Sequence, residues 1–174
     1  MGMDVFGKNP TTEEGKYFRN NVWWWRPLWE YCCVAGEGII SEEVAEDGHM
    51  NDGAGLDTDG AMALGVLLLE EIAAGRTAEY EARYNAHLAT LPRKDCNLCE
   101  MTGIRTDEVG VKGGMPEQEL SPENQILLGR TRGWCNGCDG VGTREAWGLS
   151  YPFDISNVRE FAEFCKASGG FQIC

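Results

Sequence analysis

Apolar side chains recur at helical spacing in four stretches of this chain. Between Lys16 and Ala35 they fall at Phe18, Val22, Trp25, Trp29 and Cys32 or Cys33, steps of four and three that mark one helical face. Pro27 lies inside that stretch and biases Arg26 away from helical backbone, so the pattern predicts a kinked helix or two shorter ones. A second stripe, Leu64, Leu68 and Ile72, predicts a helix capped near Asp57 or Thr58, running to about Ala74 and stopped by Gly75. Thr77 can cap a third helix that turns Tyr80, Tyr84, His87 and Leu91 inward, with Pro92 past its end; the two should pair as an antiparallel hairpin. His87 is then expected as a hydrogen-bonded core histidine. The last helix is predicted to open at Asn157, with Glu160 as reciprocal cap, Val158, Phe161, Ala162 and Cys165 inward, and Gly169-Gly170 at its end.

The stretches between are polar and glycine-rich. Residues 1–15 read as an irregular lead broken by Gly7, Pro10 and Gly15. Residues 36–59 carry Glu42, Glu43, Glu46, Asp47, His49, Asp52, Asp57 and Asp59 and read as a solvated loop. The order Asp47, His49, Asn51, Asp52, Gly53 has a calcium-loop flavour, but Thr58 stands where such a loop places its glutamate. Further on, Ser121-Pro122-Glu123 opens a short helix that Gly129 ends, and Trp147, Tyr151 and Phe153 lead back to the helical body.

The strongest chemical signal is a pair of Cys-x-x-Cys knuckles, Cys96–Cys99 and Cys135–Cys138, each followed by glycine: Cys96-Asn-Leu-Cys99-Glu-Met-Thr-Gly103 and Cys135-Asn-Gly-Cys138-Asp-Gly-Val-Gly142. Two residues between thiolates let one tight turn offer both sulfurs to one metal, and two such turns complete a tetrahedral four-sulfur shell. Redox dithiols would be expected after a strand and at the start of a helix, which neither pair is. One structural zinc is the expected occupant, with iron as the alternative. The other four cysteines, Cys32, Cys33, Cys165 and Cys174, lack ligand spacing. The fold expected is mainly α: one domain, residues 1–174, holding a zinc-stapled insert of short strands and turns at 96–142.

The knuckles resemble the Cys-x-x-Cys-x-Gly-x-Gly repeats of the DnaJ-type cysteine-rich domain. The second matches fully through Gly140 and Gly142, whereas the first has Met101 at the first glycine and keeps only Gly103. That family carries four repeats and two zincs; two repeats imply one. The J-domain His-Pro-Asp signature is missing, so chaperone recruitment is not implied. The opening Met1-Gly-Met-Asp-Val-Phe-Gly-Lys-Asn-Pro10 and the string Tyr17-Phe-Arg-Asn-Asn-Val-Trp-Trp-Trp-Arg-Pro-Leu-Trp29 are similar to an uncharacterised family of small bacterial and phage proteins with a comparable Cys-rich segment. This resemblance implies a bacterial or viral origin and cytoplasmic residence, and no mechanism.

Charge narrows the partners. The net charge is −13, with twelve acidic and four basic side chains in the first 60 residues. Such a surface repels phosphate backbones and weighs against nonspecific nucleic-acid binding. No apolar run approaches the ~20 residues that span a bilayer, and the N-terminus lacks a basic lead into an apolar segment, so neither membrane nor export is expected. Arg130, Arg132 and Arg144 flank the second knuckle and are expected to balance a negative metal centre. Four tryptophans within seven positions read first as core; alternatively Trp23 and Trp24, off the main stripe, line a ligand or partner surface with Asn21, Arg26, His49 and Asp52. The leading expectation is a non-enzymatic, zinc-stabilised protein that binds another protein, a host component if phage-encoded. A nucleic-acid-binding zinc-finger regulator, and a small-ligand binder or enzyme built on the Trp-rich segment, are the alternatives.

Overall fold

The computed structural model describes residues 2–114 and 117–174; Met1, and Met115 and Pro116 of the expected insert, lie outside them. In chain order the elements are β1 (Gly2–Gly7), β2 (Tyr17–Asn21), α1 (Val22–Ala35), α2 (Glu42–Asp47), β3 (Gly55–Leu56), α3 (Thr58–Ala73) and α4 (Arg76–Thr90). There follow β4 (Lys94–Asp95), α5 (Glu108–Lys112), β5 (Gln118–Glu119), α6 (Pro122–Leu128), β6 (Arg132–Gly133) and β7 (Thr143–Arg144). A 3-10 turn (Trp147–Ser150), α7 (Ile155–Ser168) and β8 (Phe171–Ile173) complete the chain. Helix accounts for 47% and strand for 16%, a mixed α/β content in which helices predominate but do not stand alone. Two compact units form: residues 1–89 with 150–174, and residues 90–149.

In the first unit a four-stranded antiparallel sheet, ordered β2-β1-β8-β3, backs the helices. Val5 pairs with Phe18 on one side and Ile173 on the other, and Met3 and Val5 alternate inward as one face of a pleat requires. The first part of the expected irregular lead, Gly2–Gly7, is therefore a strand, while residues 8–15 are irregular as expected. The strand's apolar alternation covers too few residues to stand out among glycines. Likewise, Tyr17–Asn21 is strand rather than the first turn of a helix; the four-residue step from Phe18 to Val22 spans a strand–helix junction. Asn21 caps α1, its side-chain oxygen accepting from the Trp23 and Trp24 amides at 3.0 and 3.1 Å. Helix α1 runs unbroken through Pro27, so the segment is one helix and not two.

Trp25 and Trp29 are fully buried and stacked, centroids 5.5 Å apart, as the core reading of the tryptophans requires. Their indole N–H groups donate to the carbonyls of Gly48 and Ala45 at 2.8 and 3.0 Å, fastening α2 over α1. A Cβ at Gly48 would stand 2.3 Å from the Trp29 ring, so this close approach requires glycine. The stretch expected as a solvated loop thus includes a helix, capped by Ser41 and pinned by two indoles. Helix α3 packs chiefly along α7 rather than as a hairpin with α4. Gly65 makes that approach possible, because a Cβ there would lie 2.6 Å from the Ala162 carbonyl. Tyr80 and Tyr84 of α4 pack on Phe153, and Thr77 is buried inside α4, bonded to the Tyr31 hydroxyl at 2.8 Å, rather than capping it. His87 is exposed, which corrects its expected core position: α4's last turns carry no buried residue. Asp154, not Asn157, caps α7, accepting from the Ser156 amide at 2.6 Å, and Gly169 ends it in the left-handed region.

Candidate metal centre

In the unit 90–149, the four knuckle cysteines are buried and their sulfurs all lie within 4.8 Å of one another. Cys96 and Cys135 sulfurs are 3.8 Å apart, Cys99 and Cys138 3.7 Å. A tetrahedron with metal–sulfur bonds of about 2.3 Å has edges of about 3.8 Å, so the donors are already spaced for one ion. All four donors are thiols, which suits a soft or borderline metal in a closed shell. Among the described residues this is the one group of His, Cys, Asp and Glu side chains so arranged; the acidic stretch around Asp47, His49 and Asp52 forms no such group.

The two knuckles are near-copies offset by 39 residues. The Gly103 amide donates to Cys99 Sγ at 3.3 Å and the Gly142 amide to Cys138 Sγ at 3.2 Å. Each turn passes through the left-handed region, at Glu100 and Met101 (φ 49° and 66°) and at Asp139 and Gly140 (φ 50° and 77°). Met101 therefore holds in strain the conformation that its counterpart glycine adopts freely. The backbones interleave: a Cβ on Gly103 would stand 2.1 Å from the Gly140 carbonyl, and one on Gly142 2.3 Å from that of Met101. Short pairings join equivalent positions of the two knuckles, Asp95 with Thr143 antiparallel and Trp134 with Ile104 parallel.

The arginines complete it. Arg105 donates to the Asn136 side chain at 2.7 Å, and Arg144 donates to that of Asn97, so each knuckle's arginine clasps the asparagine of the other. Arg130 spans both, donating to the carbonyls of Thr102 and Gly140, and Arg132 donates to the Glu117 carbonyl at 3.2 Å. The cation beside the sulfurs is Arg105, held above its ordinary pKa first by Asp107 and also by the Cys135 and Cys96 thiolates. Sequence reasoning missed Arg105, Asn97 and Asn136. The signal was present: Cys-Asn-x-Cys-x-x-x-Gly-x-Arg occurs at 96–105 and again at 135–144.

Without metal the thiols of Cys96 and Cys138 are driven in opposite directions. Burial opposes ionisation at Cys96, but the Leu98 amide and the neighbouring thiols outweigh it and bring it down to about 7; at Cys138 burial dominates and pushes it up to about 12. A metal must displace these protons, so its affinity rises with pH and falls on acidification.

Of the Trp-rich candidate surface, Trp23 and Arg26 meet at Tyr151. Asn21 is spent on the α1 cap. Trp23 is half-buried against the Tyr151 ring at 5.0 Å, and Arg26 donates to the Tyr151 hydroxyl at 3.2 Å. Trp24 is half-buried, its carbonyl accepting from Asn157 at 3.4 Å. His49 lines a groove walled by α1, α2 and α4, while Asp52 is exposed. Cys32 and Cys165 are buried, and burial pushes both thiols well up; Cys174 is exposed. Among the described residues no helix is long and apolar enough to cross a membrane. No protein-family model matches the chain, and neither a curated protein nor a solved structure does.

Proposed function

We propose that this is a non-enzymatic protein-interaction protein whose unit 90–149 is kept folded by one structural Zn²⁺ held by Cys96, Cys99, Cys135 and Cys138. The observation that carries this reading is a pairing of opposites within that unit. Its buried cluster is the four cysteines, while Val109 and Val111 on α5, Ile126 and Leu127 on α6, and Trp147 are each more than 60% exposed. Four thiolates fill a tetrahedral zinc, leaving no position for a water or substrate, so the ion supplies folding energy and not chemistry. Apolar side chains displayed on short helices are what a protein partner covers. The acidic charge and the engagement of Arg130 and Arg132 with the unit's own carbonyls weigh against the nucleic-acid alternative.

The test is affinity capture of the zinc-loaded, tagged protein from a bacterial lysate, with and without nuclease, beside an Ile126→Asp/Leu127→Asp variant. A stoichiometric, nuclease-resistant protein that the variant fails to retain is expected. Recovery of nucleic acid alone, or of proteins lost on nuclease treatment, would instead favour the regulator.

A further inference from the structure

A second surface, in the unit formed by 1–89 and 150–174, has its own chemistry. Helices α1 and α2 each turn one face to a groove of about 710 Å³: Glu30, Cys33 and Val34 from α1, Glu42, Ala45 and Glu46 from α2. Both sets fall at i, i+3 and i+4, so each wall is one helical face. Tyr80 of α4 and His49 close the groove. Cys33, Ala45 and Tyr80 are half-buried and pack on the core, whereas Val34 is 69% exposed, leaving an apolar strip open to solvent. The three glutamates form no ion pair among the described residues, and no lysine or arginine lines the groove. Burial, with the Glu30 carboxylate adding to it, pushes the Cys33 thiol up to about 11 and raises the Tyr80 phenol, so neither contributes charge near pH 7.

We infer that this groove between α1 and α2 binds a basic amphipathic helical segment of a partner protein, its apolar face on Val34, Ala45 and Tyr80 and its lysines or arginines on Glu30, Glu42 and Glu46. The inference rests on the reading of the chain as an interaction protein and names the partner's chemistry. The volume lies in the range of pockets that hold a few side chains. Two helical walls and an apolar strip suit the helix-in-groove mode, in which anchors at i, i+3 or i+4 and i+7 fill the trough. Unpaired carboxylates on both walls select the sign of the flanking charges.

The probe is a fluorescein-labelled peptide of about four helical turns, leucine at the anchor positions and lysine elsewhere, beside the same peptide with every lysine replaced by glutamate. Anisotropy is followed on the full-length, zinc-loaded protein. The lysine peptide should bind in the micromolar range and the glutamate peptide should not. The triple variant Glu30→Gln/Glu42→Gln/Glu46→Gln should weaken binding by about tenfold or more, and Val34→Lys should abolish it. Asp59→Asn/Glu160→Gln, which removes carboxylates outside the groove, should change binding less than about twofold. Equal weakening by that control would reduce the effect to net charge and overturn the assignment. So would equal binding of the two peptides, or self-association of the chain that Val34→Lys removes, which would give the groove to a second copy. A partner captured from lysate while the peptide fails to bind would remove the groove assignment alone. Peptide binding with an empty capture would leave the groove and remove the broader reading.

Discussion

The two units reach stability by opposite routes. Residues 1–89 with 150–174 bury one continuous apolar cluster from Met3 to Ile173, dominated by Trp25, Trp29, Phe161, Phe164 and Phe171. They also carry nineteen acidic against eight basic side chains. Residues 90–149 carry nine and seven, and their buried cluster is Cys96, Cys99, Cys135 and Cys138. The helices there are short, and the named strands are two residues each. Hydrophobic burial at about 25 cal/mol per Å² can hold the first unit, whereas on the proposed reading the second, which buries little beyond four sulfurs, Leu120, Val141 and Ala146, relies on a metal. On that reading, an apolar core frees surface for charge, whereas a metal core frees apolar residues for display.

The largest effect should come from breaking the metal shell. Cys99→Ser or Cys138→Ser should lose the bound zinc, whose binding supplies about 10 kcal/mol or more of folding energy in small zinc modules. Metal analysis beside residue-resolved NMR should find 90–149 collapsed in signal dispersion and the other unit preserved. The mirror experiment is Trp29→Ala, expected to destabilise the first unit by about 3–5 kcal/mol with zinc content unchanged. Thermal melts read at both units decide it; loss of zinc in that variant would erase the contrast. Smaller, Arg105→Ala/Arg144→Ala should cut the cross-knuckle clasps and raise the zinc dissociation constant about 10–100-fold in a competitive chelator titration. Acidification should act in the same direction, since protons return to thiols as pH falls through their titration range; zinc release followed with a colorimetric chelator should increase steadily from pH 7 to lower pH. The smallest change should be a gain: Met101→Gly relieves left-handed strain at a 58%-exposed side chain and should stabilise the unit by about 0.5–1 kcal/mol in denaturant melts.

Legibility in the sequence followed locality rather than the division between units. The four ligands were readable from Cys-x-x-Cys spacing because chelation by a tight turn is a local property. Helices α3, α6 and α7 were readable, wholly or nearly, from apolar steps and capping residues, Ser121 and Gly129 among them. The sheet was not. Strands β3 and β8 are two and three residues long, and their pairing joins Leu56 to Phe171 far along the chain, a contact no local pattern encodes. Helix α2 was hidden because its anchors are indoles at Trp25 and Trp29, outside its own sequence. His87 was misplaced because a helical stripe predicts a face and not how far along the helix the core extends.

The most direct measurement is hydrogen–deuterium exchange of the full-length, zinc-loaded protein before and after removal of zinc by a chelator. The account predicts that peptides from 90–149 lose their protection while those from α1, α3, α7 and the β1–β8 pair keep theirs. Unchanged protection across 90–149 after complete zinc removal would contradict it, because the unit would then be standing without its core.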